Sequence, residues 1–245
     1  MSSGNRRRST SQRDVPSSSR ATANLNMDMD DYLHPGPINP SLLTMLKEHR
    51  TEAIWRNQAD KALKVMGHKV VKMDPRLTNY VANAGFLPWT QVCNVNCDPR
   101  LITALVERWR PETHTFHLNG GEATITLQDV SLLTGLPIDG KPVSGLGELE
   151  WEPVCLSLLG VVPDRPKYKS MGSKTWFDEY LTHMPADADE EMLKKYARAY
   201  ILCVLGLTLV ADLSGDQVPL HYLPLLADLD NVRRYSRGSA ILAYQ

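Results

Sequence analysis

Apolar residues recur at helical spacing along most of the chain, and this pattern predicts a mainly α-helical protein. In the clearest segment, Asp98 is placed to cap a helix that Pro99 opens and Pro111 ends. One face of this helix is apolar and consists of Leu101, Ile102, Leu105, Val106 and Trp109. The opposite face is mostly polar and carries Arg100, Thr103, Glu107, Arg108 and Arg110.

Further helices are predicted by the same spacing and by their start and stop signals. Asp74 and Pro75 open one such helix, and Gly85 stands at its end. The others are expected at residues 155–159, 176–183, 190–209 and 222–226 and from residue 236 onward. The last of these reaches Gln245 without a stop signal.

A change of period between residues 113 and 126 predicts one small β-hairpin. Residues 113–118 and 122–126 alternate like strands, and Asn-Gly-Gly between them is a hairpin signal. Thr126 and Asp129 then have the spacing of a capping box, and Gly135 is placed as the C-terminal stop of the helix. Leu127, Val130, Leu132 and Leu133 are expected to supply its apolar contacts.

The N-terminal residues have a different composition from the rest of the chain. Residues 1–30 are rich in Ser and Arg and have too little apolar surface to offset the entropy of ordering, which predicts a disordered basic tail. Residues 31–245 are expected to form one domain. The cluster Arg6, Arg7 and Arg8 fits two interpretations. It is a nuclear import signal or an arm that contacts phosphate groups, or it is simply part of a solvated tail.

Overall charge and cysteine content exclude several classes of function. The formal net charge of −1 gives no general argument for binding nucleic acid, so that hypothesis depends on a local patch. The longest apolar stretch, residues 199–211, is shorter than the ~20 residues that cross a bilayer, so no membrane association is expected. The four cysteines show no disulfide pattern and are expected to be reduced.

No motif in the chain predicts catalysis, a metal or a cofactor. His114 and His117 are three apart, so on a strand they face opposite sides and cannot easily share an ion with Glu122. Cys93 and Cys97 lack a second pair of ligands, and residues 212–215 fit a turn better than a protease loop. The exposed face of the capped helix lacks the cations that a DNA-reading helix needs.

Two long blocks of the sequence resemble the plant mobile domain. They are residues 101–118 (LITALVERWRPETHTFHL) with 121–130 (GEATITLQDV), and residues 235–243 (YSRGSAILA). Residues 200–209 and 212–215 are similar to the segment between the blocks, and residues 35–55 resemble the start of the domain. The likeness extends over about residues 32–245, and the family domain continues past Gln245, which implies that the domain is incomplete at its C-terminus.

The resemblance implies a non-enzymatic nuclear role. The family is found in plant transposons and in host genes similar to the meristem-maintenance proteins, which implies functions in transposon silencing, genome integrity and meristem development. Some members are labelled aminotransferase-like, and no residue here supports that label. Others resemble long-form homologues of plant serine/threonine phosphatases, but the metal ligands of a phosphatase are absent from these residues.

Two residues depart from the family pattern. The family usually has tryptophan where this chain has Arg237, and often phenylalanine where it has Val210. If the tryptophan is a core residue, Arg237 replaces apolar burial with a buried charge.

Three functions therefore remain open from the sequence. The leading one is a nuclear interaction module whose partners are nuclear proteins such as chromatin factors, with direct nucleic-acid binding left open. Its candidate surface residues are Arg6, Arg7, Arg8, Arg108 and Arg110, and no catalytic residue or cofactor is expected. The alternatives are the regulatory part of a protein phosphatase and an inert transposon remnant.

Overall fold

The computed structural model describes residues 40–56, 62–63, 70–92, 98–118, 120–144, 149–163, 170–210 and 216–244. The expected disordered tail, the cluster Arg6 to Arg8, the cysteines Cys93 and Cys97 and the expected turn at residues 212–215 lie outside these ranges. The prediction of a mainly helical fold is confirmed.

The described α-helices are short apart from one. They are α1 (Arg50–Trp55), α2 (Thr78–Asn83), α3 (Trp89–Val92), α4 (Pro99–Arg108), α5 (Leu127–Thr134), α6 (Trp151–Leu159), α7 (Lys174–Thr182), α8 (Glu190–Val204) and α9 (Arg237–Tyr244). Turns of 3-10 helix add Pro40–Leu42, Leu46–Glu48, Pro75–Leu77, Leu220–Leu226 and Val232–Arg234, and one π-helical turn, Leu205–Leu209, extends α8.

Helix α8 forms the centre of the core. All its residues from Tyr196 to Val204 are buried, which is the pattern of a helix enclosed on every side. It packs against α2, α6 and α7 and against the 3-10 helix Leu220–Leu226. On one side, the rings of Trp176, Tyr180 and Tyr196 stack in sequence, with centroids 5.0 and 4.4 Å apart.

The described residues form two antiparallel sheets, whereas the sequence predicted only one hairpin. The first sheet contains the expected hairpin, β2 (Thr115–Leu118) with β3 (Gly121–Ala123), and adds β1 (Trp109–Arg110) along its edge. The second sheet pairs β4 (Met171–Ser173) with β5 (Gln217–Pro219). Such three-residue strands far apart in sequence carry no periodicity that a sequence reading can detect.

The helix caps predicted from the sequence are present. The carboxylates of Asp74 and Asp98 each accept a hydrogen bond from the backbone N–H two residues later. Thr126 and Asp129 form the full capping box, and Gly135 ends α5 in the left-handed conformation with φ +65°. These caps begin the 3-10 helix Pro75–Leu77, which leads into α2, and the helices α4 and α5.

Candidate interaction surfaces

Helix α4 turns its apolar face outward. Leu101 is 59% exposed, and Leu105 and Val106 are exposed as well. The buried side of the helix is polar: the Thr103 hydroxyl donates to the Pro99 carbonyl at 2.6 Å and accepts from the backbone N–H of Leu63 at 2.9 Å. The helix predicted from the amphipathic pattern is confirmed from Pro99 to Arg108, but Trp109 and Arg110 form strand β1 instead of its last residues, and its apolar face is not buried.

Contacts with α1 explain why the polar side of α4 lies inward. The Thr51 hydroxyl donates to the Glu107 carbonyl at 2.8 Å, and Arg50 Nε lies 3.7 Å from the Glu107 carboxylate. Helix α1 itself starts at His49, whose ring Nδ1 accepts the N–H of Thr51 at 3.1 Å. These polar contacts attach α1 to α4 and leave Leu101 and Leu105 on the solvent-exposed side of α4.

The structure places the two predicted surface arginines differently. Arg108, at the end of α4, is exposed. Arg110 is 6% exposed, and its Nη1 lies 3.4 Å from the Glu107 carbonyl and 3.5 Å from that of Trp109. Burial lowers the pKa of Arg110, and the nearby Glu112 carboxylate opposes this shift. Of the two arginines, only Arg108 is therefore freely accessible to a partner.

The first sheet continues this surface. The Trp109 ring meets the Phe116 ring edge to face, with centroids 4.8 Å apart, and lies 6.3 Å from the His114 ring. His117 and Glu122 face each other across the hairpin register, and both are exposed. Histidine 114 lies in the turn before β2 with φ 52°, so the two histidines do not lie on one strand as the sequence pattern suggested.

Helix α5 also exposes apolar residues that were expected to pack. Leu132 and Leu133 are 85% and 82% exposed, and of the four expected apolar contacts only Val130 is buried. The helix packs against α9. Since an isolated helix of this length is marginal, the capping box and the Val130 contact maintain α5 while its leucines face solvent.

Arg237 lies in the core and was not among the candidate site residues. It is 8% exposed, its Nη1 donates to the Ala84 carbonyl at 2.7 Å, and its guanidinium carbon lies 4.5 Å from the centroid of the Phe86 ring. Burial, and secondarily the neighbouring charge of Arg233, lower its pKa to about 10, so the group is still a cation at neutral pH. The resemblance alone pointed to this position, through its usual tryptophan.

Other kinds of site find no support among the described residues. No three or more His, Cys, Asp or Glu side chains in these ranges come together as metal ligands. Cys155 and Cys203 are buried and are not joined in a disulfide, and burial raises the pKa of Cys203, which makes this thiol unreactive. In the same part of the chain, no helix has the length and apolar character that a bilayer span requires.

The chain is similar to several longer plant proteins. It is 42% identical over 226 residues to the serine/threonine-protein phosphatase 7 long form homolog of Arabidopsis thaliana, a match that covers 89% of this chain and 16% of that protein. It is 38% identical over 226 residues to Protein MAIN-LIKE 1 of the same plant, with 89% and 44% covered. It is 39% identical over 166 residues to Protein MAINTENANCE OF MERISTEMS, with 67% and 35% covered.

The chain therefore spans less than half the length of each of these relatives. No solved structure matches it. A family model for the plant mobile domain matches residues 85–245, which is well over half of the chain. This match includes both sequence blocks described above, α4 with the first sheet and the start of α9. The chain belongs to the plant mobile domain family.

Proposed function

We propose that this chain is a non-catalytic nuclear interaction module that acts in transposon silencing, genome integrity and meristem development. Its family and its similarity to a protein named for the maintenance of meristems support this role. Its partners are nuclear proteins such as chromatin factors. The described residues offer apolar and basic surface instead of a set of reactive groups.

The exposed face of α4 is the observation that carries this proposal. Leu101, Leu105 and Val106 form a contiguous apolar stripe on one side of the helix, and Arg108 lies at its end. An exposed apolar patch beside an arginine is the composition of a protein–protein interface. Because the polar side of α4 contacts α1, the stripe lies on the opposite, exposed side of the helix.

A second candidate function is the regulatory part of a protein phosphatase. It is favoured by the 42% identity to the phosphatase 7 long form homolog, of which this chain spans 16%. In that case, the same surface would contact a catalytic domain outside these residues. Phosphatase activity that copurifies with the chain would support this alternative over the first.

The leading proposal is tested by expressing the tagged 245-residue chain in plant cells and fractionating the nuclei. We expect nuclear retention with chromatin and no copurifying phosphatase activity. The double substitution Leu101→Ser with Leu105→Ser is expected to reduce chromatin retention severalfold, because it removes the apolar stripe. Leu156→Ser is the matched control, since Leu156 is an exposed leucine on a different helix.

Several results would contradict the proposal. A chain that stays in the cytoplasm, or equal retention of the double variant and the wild type, would overturn the assigned surface or the nuclear role. A chain that fails to unfold cooperatively in urea would instead favour the inert transposon remnant.

A further inference from the structure

A cleft of about 580 Å³ opens beside the C-terminal end of α2 and is bordered by α5 and the segment leading into α9. Its lining includes Gly85, Pro88, Ser131, Arg233 and Arg237, and we call it the arginine cleft. None of the described residues that line it is acidic. The volume falls within the range of pockets that bind small ligands or side chains.

Gly85 lies between the two guanidinium groups of the cleft. A Cβ added to Gly85 would lie 2.9 Å from Arg237 Nη2 and 3.2 Å from Arg233 Nε. The backbone at Gly85 has φ +80°, which already favours glycine. The absence of a side chain at this position therefore lets two cations approach each other at the wall of an open cleft.

Helix capping accounts for only part of the hydrogen-bonding capacity of these arginines. Arg233 Nη2 donates to the Ala82 carbonyl at 2.7 Å, and Arg237 Nη1 donates to the Ala84 carbonyl at 2.7 Å, at the end of α2. A guanidinium carries more N–H groups than these bonds use. Arg237 Nε is buried and has no hydrogen-bond partner.

The described residues also provide no counter-ion for the pair. No salt bridge between a described carboxylate and either Arg233 or Arg237 is present. A buried cation without a paired anion is energetically unfavourable, and Arg237 is more than nine-tenths buried. An oxyanion in the cleft would supply the missing charge and an acceptor for the unused N–H groups of the exposed Arg233 side chain.

The lining favours one phosphate group over a nucleic-acid strand. A phosphomonoester carries a charge of about −2 at neutral pH, which matches two guanidinium groups. A strand is instead held by a row of cations along its backbone, and the described lining has only these two, with Leu87 and Leu136 as apolar walls. The Ser131 hydroxyl is a further polar group in the same lining.

We propose that the arginine cleft binds the phosphate group of a phosphorylated serine or threonine in a partner protein. Arg233 and Arg237 donate to the phosphate oxygens, and the apolar walls contact the residues beside the phosphorylated one. This inference rests on the proposed role as an interaction module and names the chemistry of one partner. The phosphate site and the proposed nuclear role can fail separately, because phosphopeptide binding is measured on purified protein and chromatin retention is measured in cells.

The experiment measures fluorescence anisotropy with the purified 245-residue chain and a fluorescein-labelled pentapeptide, Gly-Ala-phosphoserine-Ala-Gly. We expect the unphosphorylated peptide to bind at least about tenfold more weakly and inorganic phosphate to compete. Arg233→Gln should weaken binding of the phosphopeptide about tenfold. Arg234→Gln, which removes the same charge from the neighbouring residue outside the cleft, should change it by less than about twofold.

Three results would overturn the proposal. The first is equal or undetectable binding of both peptides, and the second is an equal loss in the Arg233→Gln and Arg234→Gln variants. The third is tighter binding of a labelled oligothymidylate that Arg233→Gln abolishes, because the cleft would then be a nucleic-acid site. Arg233 is exposed and gives up one hydrogen bond, to the Ala82 carbonyl, so we expect its substitution to leave the fold intact even if Arg237→Gln does not.

Discussion

The guanidinium of Arg237 lies over the ring of Phe86, with 4.5 Å between its central carbon and the ring centroid. Phe86 is fully buried, and Arg237 is 8% exposed. A guanidinium is planar and stacks on aromatic rings, so Arg237 can cover the Phe86 ring much as a flat aromatic side chain would. The hydrogen bond to the Ala84 carbonyl compensates part of the charge burial.

We expect Arg237→Trp to be nearly neutral or stabilising, by up to about 2 kcal/mol in the free energy of unfolding. Tryptophan keeps a planar group on Phe86 and removes a desolvated charge, and an adjacent cavity of about 40 Å³ leaves room for adjustment. Arg237→Ala should cost about 2–4 kcal/mol, because it leaves a cavity over the Phe86 ring that tryptophan would fill. Urea denaturation of both variants measures these changes in the free energy of unfolding. An alanine variant as stable as the tryptophan variant would show that this contact does not support the core.

Arg198 is a second buried arginine. We expect its loss to be costly, because three backbone carbonyls accept hydrogen bonds from it. Its Nε donates to Leu226 O at 3.0 Å, its Nη2 to Ala227 O at 3.0 Å and its Nη1 to Leu158 O at 3.3 Å. Arg198→Met leaves these carbonyls without donors and should lower the free energy of unfolding by about 3 kcal/mol.

Two further variants make this measurement specific. Arg198→Lys should also destabilise, because one ammonium group cannot reach carbonyls that a planar guanidinium bridges. Lys194→Met is the control on the same helix, where a partly exposed lysine pairs with Glu190 and Glu191, and it should change stability little. If both methionine variants unfold at the same urea concentration, Arg198 does not link α8 to its neighbours.

A close backbone approach limits residue 206 to glycine. Gly206 lies in the π-helical turn after α8, and a Cβ there would overlap the Cδ of Pro219 in β5. Gly206→Ala should therefore lower the free energy of unfolding by about 1–3 kcal/mol, because strand β5 has to move. Gly120→Ala, in open space at the hairpin, should stay within about 0.5 kcal/mol. Thermal unfolding of both variants tests this, and equal melting temperatures would contradict it.

The cap of α1 should make stability sensitive to pH. His49 Nδ1 lies 3.1 Å from the backbone nitrogen of Thr51 and 2.7 Å from its hydroxyl oxygen, and it can accept the Thr51 N–H only while it is unprotonated. Burial, and secondarily the charge of Arg110, lower the pKa of His49. The unfolded state therefore binds the proton more readily, so this contribution is complete above about pH 6.5 and is lost as the pH falls through the lower value in the folded state.

His49→Asn separates this effect from other titrations. Asparagine caps a helix and does not titrate, so the variant should lose less stability than the wild type between about pH 7 and about pH 5. His221, whose pKa burial also lowers, remains in both proteins and contributes equally. Urea midpoints over this range measure the difference. Parallel curves for the two proteins would show that protonation of His49 does not affect the fold.

Local signals determined where the elements of this protein begin and end. The caps at Asp74 and Asp98, the Thr126–Asp129 box and the stop at Gly135 are hydrogen bonds or backbone conformations that involve residues two to four positions apart. The hairpin between β2 and β3 was also readable, because its turn residues and alternation are adjacent in sequence. The family resemblance was likewise contained in contiguous blocks.

Only the tertiary structure decided what each element packs against. The periodicity of α4 defines an apolar face, but contacts of Thr51 and Thr103 place the opposite face inward. The pairing of β4 with β5 joins segments more than forty residues apart, and it has no local signature. The burial of Arg237 and its proximity to Arg233 likewise require the end of α2 to meet the start of α9. Periodicity describes one element at a time, whereas burial is a property of the surfaces that meet.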